Sequence, residues 1–210
     1  MQERNRQKRA LRCCDLIFLR ILPTAFLLVL TIRNVMAWFS FSGTVGAFFL
    51  RQLFSDTFPM VCLFLGIASV ADFFGGTSKA AAVFRYLSAG IALLHIILTG
   101  IYIAVYTSEA VPLSNNNNIE SLLCSIACIP IAVSCTLGDK YHKVRTILDA
   151  IATLLLFIAS AVLPLGEAVI NKAVSMEYFT ASLRYALNML IIAYCLTAPV
   201  FVGLVRRKKE

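Results

Sequence analysis

The sequence predicts an all-α, polytopic transmembrane helix bundle, and two observations lead to that prediction. The 210-residue chain is 60% hydrophobic and only 14% charged, with a mean hydropathy of +0.82, far from the averages of soluble domains. Its apolar residues form six continuous stretches, each with roughly the 17 to 25 residues that a helix needs to cross a hydrocarbon core about 30 Å thick. Because these stretches lack an alternation of period two, a barrel of short strands explains them less well.

The predicted bundle is a single integral membrane domain that comprises the whole chain, 1–210. Charged residues gather at the ends of the apolar stretches, with one basic tail at 1–14 and another at 206–210. The six predicted spans lie at approximately 16–32, 58–74, 86–106, 122–137, 147–170 and 184–205.

The first span contains Arg20 and ends at Arg33. The apolar run between these two residues is long enough for a bilayer only if both side chains extend toward water. We expect an uncleaved anchor here. Two other interpretations stay open: a secretory signal that ends at Val35-Met36-Ala37, and an Arg-rich mitochondrial presequence.

An aromatic segment, "AWFSFSGTVGAFFLRQLFSDT", connects the first two spans at 37–57. It holds the only tryptophan of the chain, and Val45, Phe48, Phe49 and Leu53 recur in it at helical spacing. This pattern is typical of a helix that lies flat among lipid headgroups. A continuation of the neighbouring spans explains the pattern equally well.

The distribution of basic residues predicts the orientation of the chain. If the N-terminus is on the inner side, the inner side receives fifteen of the nineteen Lys and Arg residues, and the outer side receives Arg33, Arg51, Lys172 and Arg184. The positive-inside rule then places both termini in the cytoplasm, or in the matrix or stroma of an organelle. The net charge of +8 is thus explained by the membrane, and no nucleic-acid partner is predicted.

One histidine, His95, lies at the centre of the apolar run "GIALLHIILTG", residues 90–100. From this depth its ring reaches neither membrane surface, so it must face other helices or a watery cavity. We favour a neutral imidazole that is hydrogen-bonded across helices over a proton relay, a metal or haem ligand, or a substrate contact. Asn188 in the last span is a candidate partner if spans three and six touch, and the two residues form the candidate intramembrane polar site.

The cysteines suggest two separate roles. Cys124, Cys128 and Ala132 recur at four-residue steps in the fourth span, with Cys135 on the same side, and such small side chains predict a helix-packing seam. Two further cysteines, Cys13 and Cys14, adjoin the basic tail and the start of the first span, where reversible S-palmitoylation occurs.

The last six residues, "VRRKKE", place Arg207 and Lys208 at the fourth and third positions from the terminus. This arrangement resembles the dilysine retrieval signal of endoplasmic-reticulum membrane proteins, with an arginine in place of the first lysine. A stop-transfer cluster is the alternative. We therefore favour the endoplasmic reticulum or the secretory pathway, with an organelle inner membrane as the other option.

Two segments resemble helices of a known class. The segment "DLIFLRIL", which contains Arg20, and the segment "VRTILDAIATLLLFIASAV", which contains Asp149, are similar to the first and third helices of four-span MARVEL and Casparian-strip-type proteins. The resemblance implies a role in organising membrane domains. It implies no site residue, and the six spans predicted here exceed the four of that class.

No sequence motif indicates catalysis. The chain lacks a hydrolase elbow, a Gly-rich phosphate loop, a His-rich metal cluster and paired carboxylates at one depth, so we predict no catalytic residue, cofactor or metal. The first hypothesis is a non-catalytic accessory, scaffold or assembly subunit that packs against the lipid bilayer and against other membrane proteins or its own copies. The alternative is a small carrier or channel for an ion, proton or small solute, which His95, proline kinks and a faint internal duplication favour. An intramembrane lipid-modifying enzyme is the third.

Overall fold

The computed structural model describes residues 10–39, 47–75, 79–108, 116–166 and 176–207, and all regular structure within them is helical. Six helices of this part of the chain are long and apolar enough to cross a membrane. The prediction of an all-α fold with six apolar helices is therefore confirmed.

The six long helices are numbered α1 to α6 in chain order. Helix α1 comprises 10–39 and is π-helical over Asp15–Ile21, and helix α5 comprises 142–166 and is π-helical over Ile158–Val162. A short 3-10 turn, Asp139–Tyr141, precedes α5. The other four helices are α2 (Ala47–Gly75), α3 (Lys79–Ser108), α4 (Asn116–Thr136) and α6 (Met176–Arg207).

Several helices begin before the predicted spans. The spans were predicted from apolar runs, whereas the helical backbone also includes polar residues that flank these runs. Helix α1 is already helical at residue 10 and α3 at Lys79, several residues before the spans predicted at 16 and 86. Helix α2 begins at Ala47, so the second half of the aromatic segment continues into the second apolar helix, as one of the two interpretations held. The first half of that segment, at 40–46, lies outside the described residues.

Helices that follow one another in the chain pack side by side, and α6 also packs against α1 and α2. Helix α2 is antiparallel to α1 and to α3, since residues late in α2 bond to residues early in the other two: Ser69 meets Arg20, and Asp72 meets Arg85. At one end of the bundle α1 begins, α2 ends and α3 begins. We call this end the tail end. The polar residues described below lie at two levels relative to this end.

Small side chains fill much of the core. Ala92, Ala127, Ala152 and the two cysteines Cys62 and Cys128 are fully buried. Small residues at helix interfaces let the backbones approach closely, which strengthens packing where lipid supplies no hydrophobic driving force. Larger fully buried side chains of this core include Leu27, Val61, Ile131 and Leu156.

Both π-helical segments end just before a proline. The residue that precedes each proline closes the wide turn: the Leu22 N–H donates to the carbonyl of Ile17 before Pro23, and the Leu163 N–H donates to the carbonyl of Ile158 before Pro164. A proline in a regular helix lacks an N–H and its ring collides with the carbonyl four residues back. A turn closed by a bond five residues back moves that carbonyl away, so the wide turns accommodate the prolines.

Candidate functional site

The first candidate site is a buried layer of hydrogen bonds around His95, which we call the histidine layer. His95 is 1% exposed and lies in α3. Its Nδ1 is 2.8 Å from the Thr57 hydroxyl on α2, and its Nε2 is 3.1 Å from the Ser125 hydroxyl on α4. A third hydroxyl, that of Thr99 on α3, is 2.5 Å from the Ser125 hydroxyl. The layer therefore connects three consecutive helices.

The partners of the imidazole suit an uncharged ring. A neutral imidazole has one donor and one acceptor nitrogen, and a hydroxyl can either donate or accept. Both ring nitrogens are therefore satisfied in either neutral tautomer. The ring also contacts Phe58, with 5.5 Å between the ring centroids. The arrangement can fix the register of α2, α3 and α4.

The predicted partner of His95, Asn188, lies elsewhere. Its side chain is exposed on α6, a helix that packs against α1, α2 and α5. The structure brings His95 to hydroxyl groups of α2 and α4 and does not bring Asn188 into the histidine layer. The sequence did not point to Thr57 and Ser125, because Ser and Thr are common on apolar helices. Only the packing of α2, α3 and α4 shows which hydroxyls reach the depth of His95.

A second set of polar contacts, which we call the charged layer, lies nearer the tail end. Asp72 near the end of α2 accepts a hydrogen bond from the guanidinium of Arg85 near the start of α3, and the two form an ion pair. The Asp72 side chain is 5% exposed, whereas the Arg85 side chain is 28% exposed. The carboxylate is thus enclosed by the bundle, and the arginine stem reaches it from the rim.

Arg20 belongs to the same layer and ties α1 to α2. It is 7% exposed, donates to the backbone carbonyl of Ser69 at 2.5 Å, pairs with Asp15 at 3.2 Å, and lies 5.2 Å from the centroid of the Phe73 ring. In a regular α-helix, residues five positions apart point to different sides. The π-helical turn of Asp15–Ile21 brings Asp15 and Arg20 together, so the wide turn also makes this ion pair.

The charged layer continues between α4 and α5. The Ser134 hydroxyl donates to the carboxylate of Asp149, which is 7% exposed. Ten residues toward the tail end from the contact of His95 with Ser125, α3 reaches Arg85 and α4 reaches Cys135, the residue next to Ser134, so these residues are at a similar height. Polar groups from five helices therefore gather at one level of the bundle.

The predicted packing seam of α4 lies along the core. Cys128 is fully buried and Ala132 is 6% exposed, and both belong to the central cluster of buried residues. Cys124 and Cys135 are half-buried and pack against that cluster. The four residues thus line the side of α4 that other helices approach.

The remaining candidate residues lie at the chain ends. Cys13 and Cys14 are exposed on the first turns of α1. Of the basic pair at the C-terminus, Lys208 lies outside the described residues, and Arg207 is the last described residue of α6. Among the described residues, no group of three or more His, Cys, Asp or Glu side chains is arranged to hold a metal ion.

The described part of the protein is all-helical, and its six long apolar helices are compatible with a multi-pass membrane protein. Comparison with known proteins finds no matching family model, no matching curated protein and no matching solved structure.

Proposed function

We propose that the protein is a non-catalytic multi-pass membrane protein that acts as an accessory, scaffold or assembly subunit through helix packing. One observation carries the proposal: the buried polar side chains of both layers bond to neighbouring helices of the same bundle. His95 meets Thr57 and Ser125, Asp72 meets Arg85, and Asp149 meets Ser134.

Such contacts favour a structural role because a polar group inside a membrane needs a hydrogen-bond partner. An unsatisfied polar group in hydrocarbon costs several kcal/mol, so a polar residue inside a bundle either serves a pathway or holds helices in register. Here each layer spans interfaces between consecutive helices, with the partner supplied by the next helix. That distribution suits a rigid bundle whose outer apolar surface meets lipid and other membrane proteins or a second copy.

In the proposed orientation the tail end faces the cytoplasm. Among the described residues, Arg12, Lys79, Lys140 and Arg206 lie at the helix ends and turns on that side, which agrees with the positive-inside rule. The resemblance of the C-terminal Arg207 and Lys208 to a retrieval signal supports residence in the endoplasmic reticulum or the secretory pathway.

The proposal is tested with full-length protein purified from its membrane in a mild detergent. We expect migration in native gels as a complex of fixed stoichiometry with membrane proteins or with copies of this chain, and no ion or solute flux after reconstitution into vesicles. His95→Leu should weaken the complex, while Leu94→Ala, which alters an exposed neighbour on the same helix, should not.

A small carrier is the alternative, and the linked hydroxyls of the histidine layer are the observation that favours it. Thr57, His95, Ser125 and Thr99 form a continuous chain of hydrogen bonds, the arrangement that a proton path needs. Proton or solute flux in vesicles that His95→Leu abolishes, with complex formation intact, would refute the scaffold proposal and establish the carrier.

A further inference from the structure

Cys13 and Cys14 lie at the level where the neighbouring helix ends. Arg20 of α1 donates to the backbone carbonyl of Ser69 in the antiparallel helix α2, so these two residues are at the same height. Six residues further toward the tail end, α1 reaches Cys14 and α2 reaches its last residue, Gly75. The two thiols are therefore at the rim of the bundle, at the height of the lipid headgroups in the proposed orientation.

The two thiols also continue the apolar exposed face of α1. Residues four apart lie near one side of a helix, in the wide turn of Asp15–Ile21 as well as in a regular turn. Ile17 and Ile21 follow Cys13 at this spacing and are 49% and 42% exposed, and Phe18 and Leu22 follow Cys14 and are 55% and 50% exposed. A hydrocarbon chain attached at either sulfur would lie along a row of side chains that already face away from the bundle.

The other five cysteines differ from this pair in burial. Cys62, Cys128 and Cys195 are buried, and Cys124 and Cys135 are half-buried against the core. Only Cys13 and Cys14, among the cysteines of the chain, are exposed. Basic residues adjoin the pair: Arg12 is exposed beside it, and Arg4, Arg6, Lys8 and Arg9 precede it in the sequence.

We propose that Cys13 and Cys14 are S-acylation sites that take a long-chain fatty acyl group from an acyl-coenzyme A thioester. The cysteine sulfur attacks the acyl carbonyl carbon, a new carbon–sulfur bond forms as the bond to coenzyme A breaks, and the cysteine proton ends on the released coenzyme A thiol. The acyl chains enter the lipid beside α1 and hold its first turns at the membrane surface. This modification is additional to the proposed scaffold role and rests on one part of the proposed function, the orientation that places the tail end in the cytoplasm.

The test is a mass-tag exchange on full-length protein expressed in a eukaryotic cell. Free thiols are blocked, thioesters are cleaved with hydroxylamine, and each released thiol receives a tag that shifts the protein on a gel. We expect up to two tags on the wild type, at most one on Cys13→Ser or Cys14→Ser, and none on the double variant. The half-buried control Cys124→Ala should carry as many tags as the wild type.

Two results would overturn the proposal: a wild-type protein without hydroxylamine-labile groups in cells where a known acylated membrane protein is tagged, or undiminished tagging of the double variant. If the Ser variants fail to accumulate, the double variant Cys13→Ala/Cys14→Ala replaces them. Tags on the wild type and none on this variant then support the proposal. Failure here is distinct from failure of the scaffold proposal, because complex formation and vesicle flux do not report acylation.

Discussion

His95 is a titratable residue whose two ring nitrogens contact hydroxyl groups of neighbouring helices. Thr57 and Ser125 can satisfy the neutral ring without adding charge to the interior. The sequence identified the residue because a single ionisable group interrupts a long apolar run. It could not identify the partners, because their hydroxyls carry no signal until the helices are packed.

Replacing His95 with leucine should lower the free energy of unfolding by about 1–2 kcal/mol, the range for the loss of two interhelical hydrogen bonds in a membrane. The loss of stability stays moderate because the Ser125 hydroxyl can still donate to the backbone carbonyl of Ser121, 3.0 Å away. The measurement is unfolding of the purified protein in mixed micelles with rising SDS, read by the reactivity of the buried thiols of Cys62 and Cys128. Leu94→Ala is the matched control, and equal stability of the two variants would contradict a structural role for the ring.

The ion pair of Asp72 and Arg85 leads to an asymmetric prediction. Arg85→Met leaves a carboxylate enclosed by the bundle and should cost about 2–3 kcal/mol, whereas Asp72→Asn leaves an arginine at the rim and should cost about 1 kcal/mol. The double variant should be more stable than Arg85→Met alone. The same SDS titration of all three variants measures this coupling, and strictly additive losses would show that the pair does not interact.

At the scale of the helices, α1 and α2 approach each other closely at Gly66. A Cβ atom built on Gly66 would collide with the Thr24 hydroxyl oxygen and lie 3.2 Å from its Cβ. That hydroxyl donates to the Arg20 carbonyl at 2.5 Å, so it is held in place. The contact lies one turn from the bond between Arg20 and Ser69, and the two together dock α1 onto α2.

Gly66→Ala should therefore destabilise the docking of α1 by about 1–3 kcal/mol, the usual cost of overpacking. We expect faster hydrogen exchange over 10–39 and an earlier SDS midpoint, both partly restored by Thr24→Ala in the double variant. Gly90→Ala and Gly100→Ala are matched controls on α3, because a Cβ at either position meets no atom within 4 Å. These two should be neutral or slightly stabilising, since alanine favours a helix over glycine; a loss at Gly90 as large as at Gly66 would disprove the steric argument.

Hydropathy predicted the existence and the type of all six helices, because a long apolar run in this composition leaves few other structures. Their ends were not predictable to the residue: α3 begins at Lys79, well before its apolar run, since polar residues also continue a helix. The π-helical turns escaped prediction for a different reason. Pro23 and Pro164 signal a local distortion, but the pairing of Asp15 with Arg20 depends on how each turn relaxes around the proline ring.

At the scale of the whole molecule, the charged layer lies on the side of the histidine layer where the described residues place the start of α1 and the end of α2. Arg20, Asp72 and Asp149 are each within three turns of the tail end of their helices, while His95 lies near the middle of α3. Charges buried close to one surface can be hydrated from that side at lower cost than charges at the centre. The distribution of paired charges thus agrees with the orientation that the basic residues of the sequence predict.

This orientation predicts that tags fused to the N-terminus and to the C-terminus are on one side of the membrane, the cytoplasmic side, because six crossings return the chain to its starting face. A tag inserted at 112–114, between α3 and α4, should be on the opposite side. The measurement is protease protection in sealed vesicles, before and after permeabilisation with detergent, with a tag inserted at 76–78 as the control for the cytoplasmic face. Terminal tags on opposite sides would mean an odd number of crossings. Since α1 is bound to α2 through Arg20 and to α6 by packing, such a result would require the bundle itself to be arranged differently.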